Sequence, residues 1–416
     1  MERRVMWVGL IGGFFFAAGV CASDYPQFRG VNRDGRAAAE ETGLLGEWPP
    51  EGPPPLWKTA GLGRGYSQPT YAQGVIYITG ELGDDLALSA LDAQTGTLRW
   101  RQILPGQAWP EGGRNWPGAR SAPTCDVAAG RLYFLTAHGV LSAHRMADGK
   151  PLWSRKASEW GGKTPQWGFA ESPLATGDLV IVTPGGSNTM AAVDASTGAD
   201  VWKSVGANMP AHYCSAILVE TGGKTLAVNG TGGGILGVDL KTGKVAFTND
   251  FCVGNTANCP SPLYDDGAVF WANGYRKGGI ALALSEQNGD IVAKEIYRVP
   301  EASVHHGGYV KAGPCVYGSN ERELLCLEGG KVKWSDRRVG KGSIHYADGR
   351  LYCFSDKGGT AVLVEPDAAG YREKGRFTVP GSGMSWAYPV VADKRLLLRY
   401  GAEGDTLYAY DVAARP

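Results

Sequence analysis

The sequence predicts an all-β protein. It should be an eight-bladed β-propeller of four-stranded antiparallel blades, closed by an N-terminal outer strand that completes the last blade. Three observations carry this expectation. A hairpin unit, seen at Leu91 to Trp100, recurs down the chain. Its turn glycines, Gly96, Gly149, Gly198, Gly243, Gly289, Gly330 and Gly370, stand 40 to 53 residues apart, the period of propeller blades. Glycine (62), Trp (13) and Tyr (18) are abundant while only 20% of the 416 residues are charged, which suits short strands joined by tight turns. No segment sustains an apolar period of 3.6 residues, so helices should be few.

Taken in order, residues 1–22 read as a signal peptide. Arg3 and Arg4 precede an apolar run from Val5 to Val20, and Val20-Cys21-Ala22 places cleavage after Ala22. Cys21 also permits a lipid anchor, although Val20 fits that processing poorly. The expected product is therefore an exported protein, periplasmic or secreted, with no transmembrane segment in the mature chain. Residues 23–54 form an irregular segment to be packed on the propeller. Asp24 to Gly35 sets aromatic anchors among turn formers, and a proline-rich stretch from Pro49 to Pro55 makes a stiff lead-in.

Residues 55–416 hold the propeller. Each period contains a strand of the type Gly130-Arg-Leu-Tyr133 or Gly349-Arg-Leu-Tyr352. Upstream lies a short strand often marked by proline, at Pro69, Pro123, Pro173, Pro262 and Pro389. Proline donates no N–H, so it suits the inner edge strand that faces the channel. The order per blade is then inner strand A, strand B, strand C, the glycine turn, and outer strand D bearing Trp. Inner strands are expected near Ser67, Ser121, Ser172, Ser215, Ser261, Gly308, Ser343 and Tyr388. The last set ends at Asp411 without a D strand, and Pro55-Leu56-Trp57-Lys58 is a D strand without a set. Pairing them closes the ring and removes its open edge.

Lys plus Arg equals Asp plus Glu at 41 each, which argues against a global electrostatic role with nucleic acid. No Cys-x-x-Cys or Cys/His spacing points to zinc. Cys252 and Cys259 flank a loop and read either as a disulfide or as two unrelated small apolar residues.

The units Leu91-Asp-Ala-Gln-Thr-Gly-Thr-Leu-Arg-Trp100 and Val193-Asp-Ala-Ser-Thr-Gly-Ala-Asp-Val-Trp202 resemble the PQQ-type propeller repeat. Asp24 to Gly30, Trp167 to Pro173, His305-His-Gly-Gly308, Gly340 to Ser343 and Gly370 to Arg376 resemble exported PQQ-binding-like, BamB-like proteins of the planctomycete type. The resemblance implies the propeller fold and two functional classes, a non-catalytic scaffold and a quinoprotein dehydrogenase. The dehydrogenases bind PQQ with calcium and carry a disulfide between adjacent cysteines. This chain has no adjacent cysteines and no residues matching their calcium ligands, so no cofactor is expected.

The channel mouth is the expected place for a ligand, because the D–A connections of different blades converge there. The candidate residues are Tyr66, Arg120, Glu171, His212, Tyr213, Asn258, His305, His306, Lys341 and Trp386, with Arg64 and Trp116 nearby. Glu171 reads either as a general acid/base or as an ion-pair partner of Arg120 from the neighbouring blade. His305 and His306 point to opposite faces of an extended strand, so one serves the channel while the other packs between blades. Lys341 reads as an anion binder or as a solvated lysine. The tryptophans of the D strands read as packing between blades. The first functional expectation is a monomeric, non-catalytic scaffold that binds an envelope protein, peptide or saccharide at the mouth. The second is an enzyme, either a PQQ-dependent oxidoreductase or a hydrolase or lyase using Glu171 and a channel histidine.

Overall fold

In a computed structural model, residues 24–111, 116–254 and 256–415 are described, and they form eight four-stranded antiparallel sheets. Residues 1–22, which were expected to be a signal peptide, and with them Cys21, lie outside the described residues. Seven blades are continuous in sequence, from Thr70–Leu104 in blade 1 to Gly342–Thr378 in blade 7. Blade 8 takes its inner three strands from Val390–Ala392, Arg395–Tyr400 and Thr406–Asp411 and its outer strand from Pro55–Thr59. The register pairs Trp57 with Ala409 and Thr59 with Leu407. Among the described residues, helix is confined to one 3-10 turn, Ala157–Trp160.

The repeat sequence explains how neighbouring blades lock. In Asp-x-x-Thr-Gly, the aspartate accepts backbone N–H groups of its own turn, as Asp92 does from Gln94 and Thr95. The turn closes on a glycine with positive φ, 73° at Gly96. This geometry leaves the carbonyl three residues before the glycine free for the preceding blade's Trp. Trp57 Nε1 donates to Ala93 at 3.1 Å, Trp100 to Met146 at 3.1 Å and Trp153 to Ala195 at 3.1 Å. Trp202 donates to Leu240 at 2.8 Å and Trp334 to Asp367 at 2.7 Å. The indole also occupies the space a side chain at the glycine would need. A Cβ on Gly149 would stand 2.4 Å from the Trp100 ring.

Two features differ from the sequence expectation. The Leu284–Ala293 unit is not an Asp-x-x-Thr-Gly turn. It is a two-residue hairpin at Asn288-Gly289 between the long strands Gly278–Gln287 and Asp290–Val299. Tyr297 takes the tryptophan's place there, with its ring against Gly330 of blade 6. The inner strands of blades 1 to 5 begin two or three residues beyond the predicted serines, at Thr70, Thr124, Leu174, Ile217 and Leu263. The serines instead form a buried belt that joins blades. Ser172 Oγ accepts from Ala122 N at 2.9 Å, Ser215 Oγ from Ser172 N at 2.9 Å, and Ser261 Oγ from Ser215 N at 3.2 Å.

The segment before the propeller enters the channel and covers inner-strand edges that would otherwise lack partners. Tyr25 exchanges backbone bonds with Tyr71 of blade 1, and Pro26 accepts from Cys125 of blade 2. Arg33 donates to the carbonyls of Ser172 and Pro173 at 2.7 and 3.0 Å, and Arg29 donates to that of Tyr309 in blade 6. Both guanidinium groups are buried. The chain then leaves the channel and runs across blades 7 and 8, where Ala37, Leu45 and Trp48 donate to Tyr346, Val412 and Lys374.

Candidate functional site

Strand A leaves the channel mouth, so the connections entering it surround that mouth from every side. They enclose an apolar funnel of about 250 Å³. Tyr66 enters from blade 1, Arg120 with Trp116 from blade 2, Trp167 from blade 3, Tyr213 from blade 4, His305 and His306 from blade 6, and Trp386 from blade 8. Phe28 of the N-terminal segment and Tyr388 also line it, their rings edge to face at 5.3 Å. The N-terminal segment thus helps to build the site.

One wall is a continuous aromatic surface. Trp386 lies 4.6 Å from Tyr66, 5.3 Å from Trp116 and 5.6 Å from His306, centroid to centroid. Trp167 and Tyr213 face each other at 5.8 Å on another part of the wall. Trp116 and Tyr275 are 46% and 44% exposed. Both hold positive φ, 51° and 56°, a strained conformation for bulky residues that is concentrated at ligand sites.

Arg120 is the one charged side chain in the lining among the described residues. It donates to the carbonyl of Trp167 at 2.6 Å and to that of Trp116, and burial lowers its pKa. His305 accepts from Lys341 Nζ at Nδ1, 2.8 Å away. An ammonium can only donate, so His305 carries its proton on Nε2, which faces the Tyr275 hydroxyl at 3.0 Å. Burial pushes the His305 imidazole down to about 4, helped by the Lys341 charge. Burial also holds His306 well below its ordinary value.

Four sequence candidates lie outside the funnel lining. Glu171 does not pair with Arg120. It turns into the wall, where it accepts from Thr183 N at 2.6 Å, Thr183 Oγ1 at 2.9 Å and Asn229 Nδ2 at 3.2 Å. Burial pushes its carboxyl up to about 7. His212 and Asn258 bond to each other at 2.8 Å. Asn258 also donates to Thr231 and accepts from Val253, pinning the loop before blade 5. Lys341 stands behind His305, with Asp356 3.9 Å away. Arg64 pairs with Glu111, Glu81 and Glu403 rather than lining the cavity. Cys252 and Cys259 are separate thiols, with Cys252 donating to Gly232 and Cys259 in the funnel lining.

A closed eight-bladed propeller with an N-terminal plug and an aromatic channel mouth defines the class of protein. Residues 85–326 match the family model described as outer membrane protein assembly factor BamB, and the chain belongs to that family. No curated protein sequence matches it. Among solved structures it is similar to BamB from Moraxella catarrhalis, with 14% identity and a TM-score of 0.56 over 82% of this chain and 99% of that one. It is also similar to the quinohemoprotein alcohol dehydrogenase of Comamonas testosteroni, with 13% identity and a TM-score of 0.62 over 96% of this chain and 82% of that one. A third is Sqt1 of Saccharomyces cerevisiae, at 9% identity and a TM-score of 0.58, over 86% of this chain and 99% of that one. At these identities the likeness is one of fold.

Proposed function

We propose that the protein is an exported, monomeric, non-catalytic scaffold whose channel mouth receives a projecting group of an envelope protein, peptide or saccharide. The funnel carries this reading: rings from separate blades converge on a cavity whose wall includes Phe28 of the N-terminal segment. Membership in a family described by an assembly factor supports a scaffold role. No helix among the described residues is long and apolar enough to cross a membrane. The hydrolase or lyase reading needs a carboxylate beside a channel histidine, and Glu171 is turned away from the cavity toward Thr183 and Asn229.

A photo-reactive benzoylphenylalanine at Tyr275, on the funnel rim, tests the binding role. The same group at Asp266, exposed in the turn after the blade 5 inner strand at the opposite end, is the control. In intact envelopes the Tyr275 position should form a discrete adduct and the control should not. No adduct, or equal adducts at both positions, would overturn the reading.

The reading includes no PQQ. Among the described residues no three His, Cys, Asp or Glu side chains gather where they could hold a cation, and the funnel lining contains no carboxylate to ligate calcium. Titration of the protein with PQQ and calcium should give no saturable change in absorbance. A saturable change would favour the oxidoreductase.

A further inference from the structure

Two polar atoms at the funnel are buried and without a hydrogen-bond partner among the described residues, Trp386 Nε1 and His306 Nε2. A buried polar group left unmet in this way is costly unless something binds it. An indole N–H is a donor only. His306 Nδ1 lies 3.4 Å from His305 Nδ1, whose single lone pair already accepts from Lys341. With burial keeping the ring neutral, His306 Nε2 is an N–H donor in one tautomer and a bare acceptor in the other. An indole N–H and an unmet imidazole nitrogen set among aromatic rings suit a hydroxyl group, which can accept from the one and donate to or accept from the other.

The surrounding wall narrows the ligand further. Tyr66, Trp116 and Trp386 line the cavity as a cluster of rings, an aromatic surface that suits the apolar face of a sugar ring. Arg120 adds a planar guanidinium whose acceptors at the mouth are backbone carbonyls. Its acidic neighbour Glu81 is also engaged by Arg64 at 3.8 Å. A half-buried guanidinium at the mouth with no hydrogen-bonded carboxylate among the described residues favours an anion, and its fork matches a carboxylate.

We propose that the funnel binds a sugar residue bearing a carboxylate, a uronic-acid unit of a saccharide, with its ring stacked on Trp386 and its carboxylate directed to Arg120. This rests on the reading of the channel mouth as a binding site, and it names the ligand class. A trisaccharide of galacturonic acid and its neutral methyl ester are the matched probes, followed by intrinsic tryptophan fluorescence and by calorimetry. The acid should bind saturably, at least tenfold more tightly than the ester. Trp386→Ala should weaken both by tenfold or more, and Arg120→Gln should weaken the acid while leaving the ester unchanged. Thermal melts and near-ultraviolet circular dichroism establish that each variant is folded, and Arg120→Lys serves in place of Arg120→Gln if the latter does not fold. Equal binding of acid and ester, binding unaffected by Trp386→Ala, or no binding of either probe would each overturn the proposal. The cross-linking experiment at Tyr275 is independent of these probes. An adduct there with no uronate binding removes the ligand class alone, while loss of the adduct removes the binding site itself.

Discussion

At the scale of single residues, alternation along an extended chain decides which side chains reach the funnel at Glu171 and His212. It does not at His305 and His306, which were expected on opposite faces and both line the cavity, because the chain bends there instead of running as a strand. Ala170 and Tyr213 line the cavity, and their neighbours Glu171 and His212 point into the wall. Position in a connection was therefore legible in the sequence, and facing was not. The turn into the wall gives Glu171 a pH signature. Its folded pKa is raised to about 7 by burial, above an unfolded value near the ordinary 4.5. Its contribution to stability is therefore full below about pH 4.5 and declines as pH rises through about 7. Glu171→Gln removes that decline. The variant should gain stability relative to the parent between pH 5 and pH 8, by roughly 3 kcal/mol at most. Urea denaturation at the two pH values measures this, and an equal difference at both would contradict it.

At the scale of elements, the outer strand Pro55–Thr59 was legible because it carries Trp57 with no blade of its own. The plug was not legible as a plug, since Asp24 to Gly35 has no repeat to align it and its hydrogen bonds go to backbone edges. Tyr275 was missed for a simpler reason. It lies in the connection between strands B and C of blade 5, and such connections open at the same end of the channel as the D–A connections. A second tie across the closure was also hidden. Arg399, in blade 8, is buried and donates to Gly63 and Gly404 at 2.9 and 2.7 Å and to Thr79 at 2.7 Å. It also donates to Ser67 Oγ at 2.6 Å. Several acceptors from blade 1 and the connection leading to it thus depend on one guanidinium. A lysine cannot reproduce the planar fork, and it would leave buried carbonyls unmet at roughly 1–3 kcal/mol each. Arg399→Lys should destabilise the protein by about 3 kcal/mol or more in denaturant unfolding. A change below about 1 kcal/mol would show that the clamp is dispensable.

At the scale of the whole molecule, the repeats specify the ring and the irregular stretches between them specify the site. The two are coupled at one seam. Tyr66 enters blade 1 and Trp386 enters blade 8, so the closest aromatic pair of the funnel, 4.6 Å apart, spans the place where the ends of the propeller meet. The seam closed by the outer strand Pro55–Thr59 is thus the seam that this wall spans. The most direct test removes residues 55–58 and reads amide hydrogen exchange peptide by peptide. Protection should be lost over Thr406–Asp411, which pairs with the deleted strand, and over the funnel segments 63–68 and 384–388 together. If those segments stay as protected as in the full chain, closure by the N-terminal strand does not hold the ring or build the site.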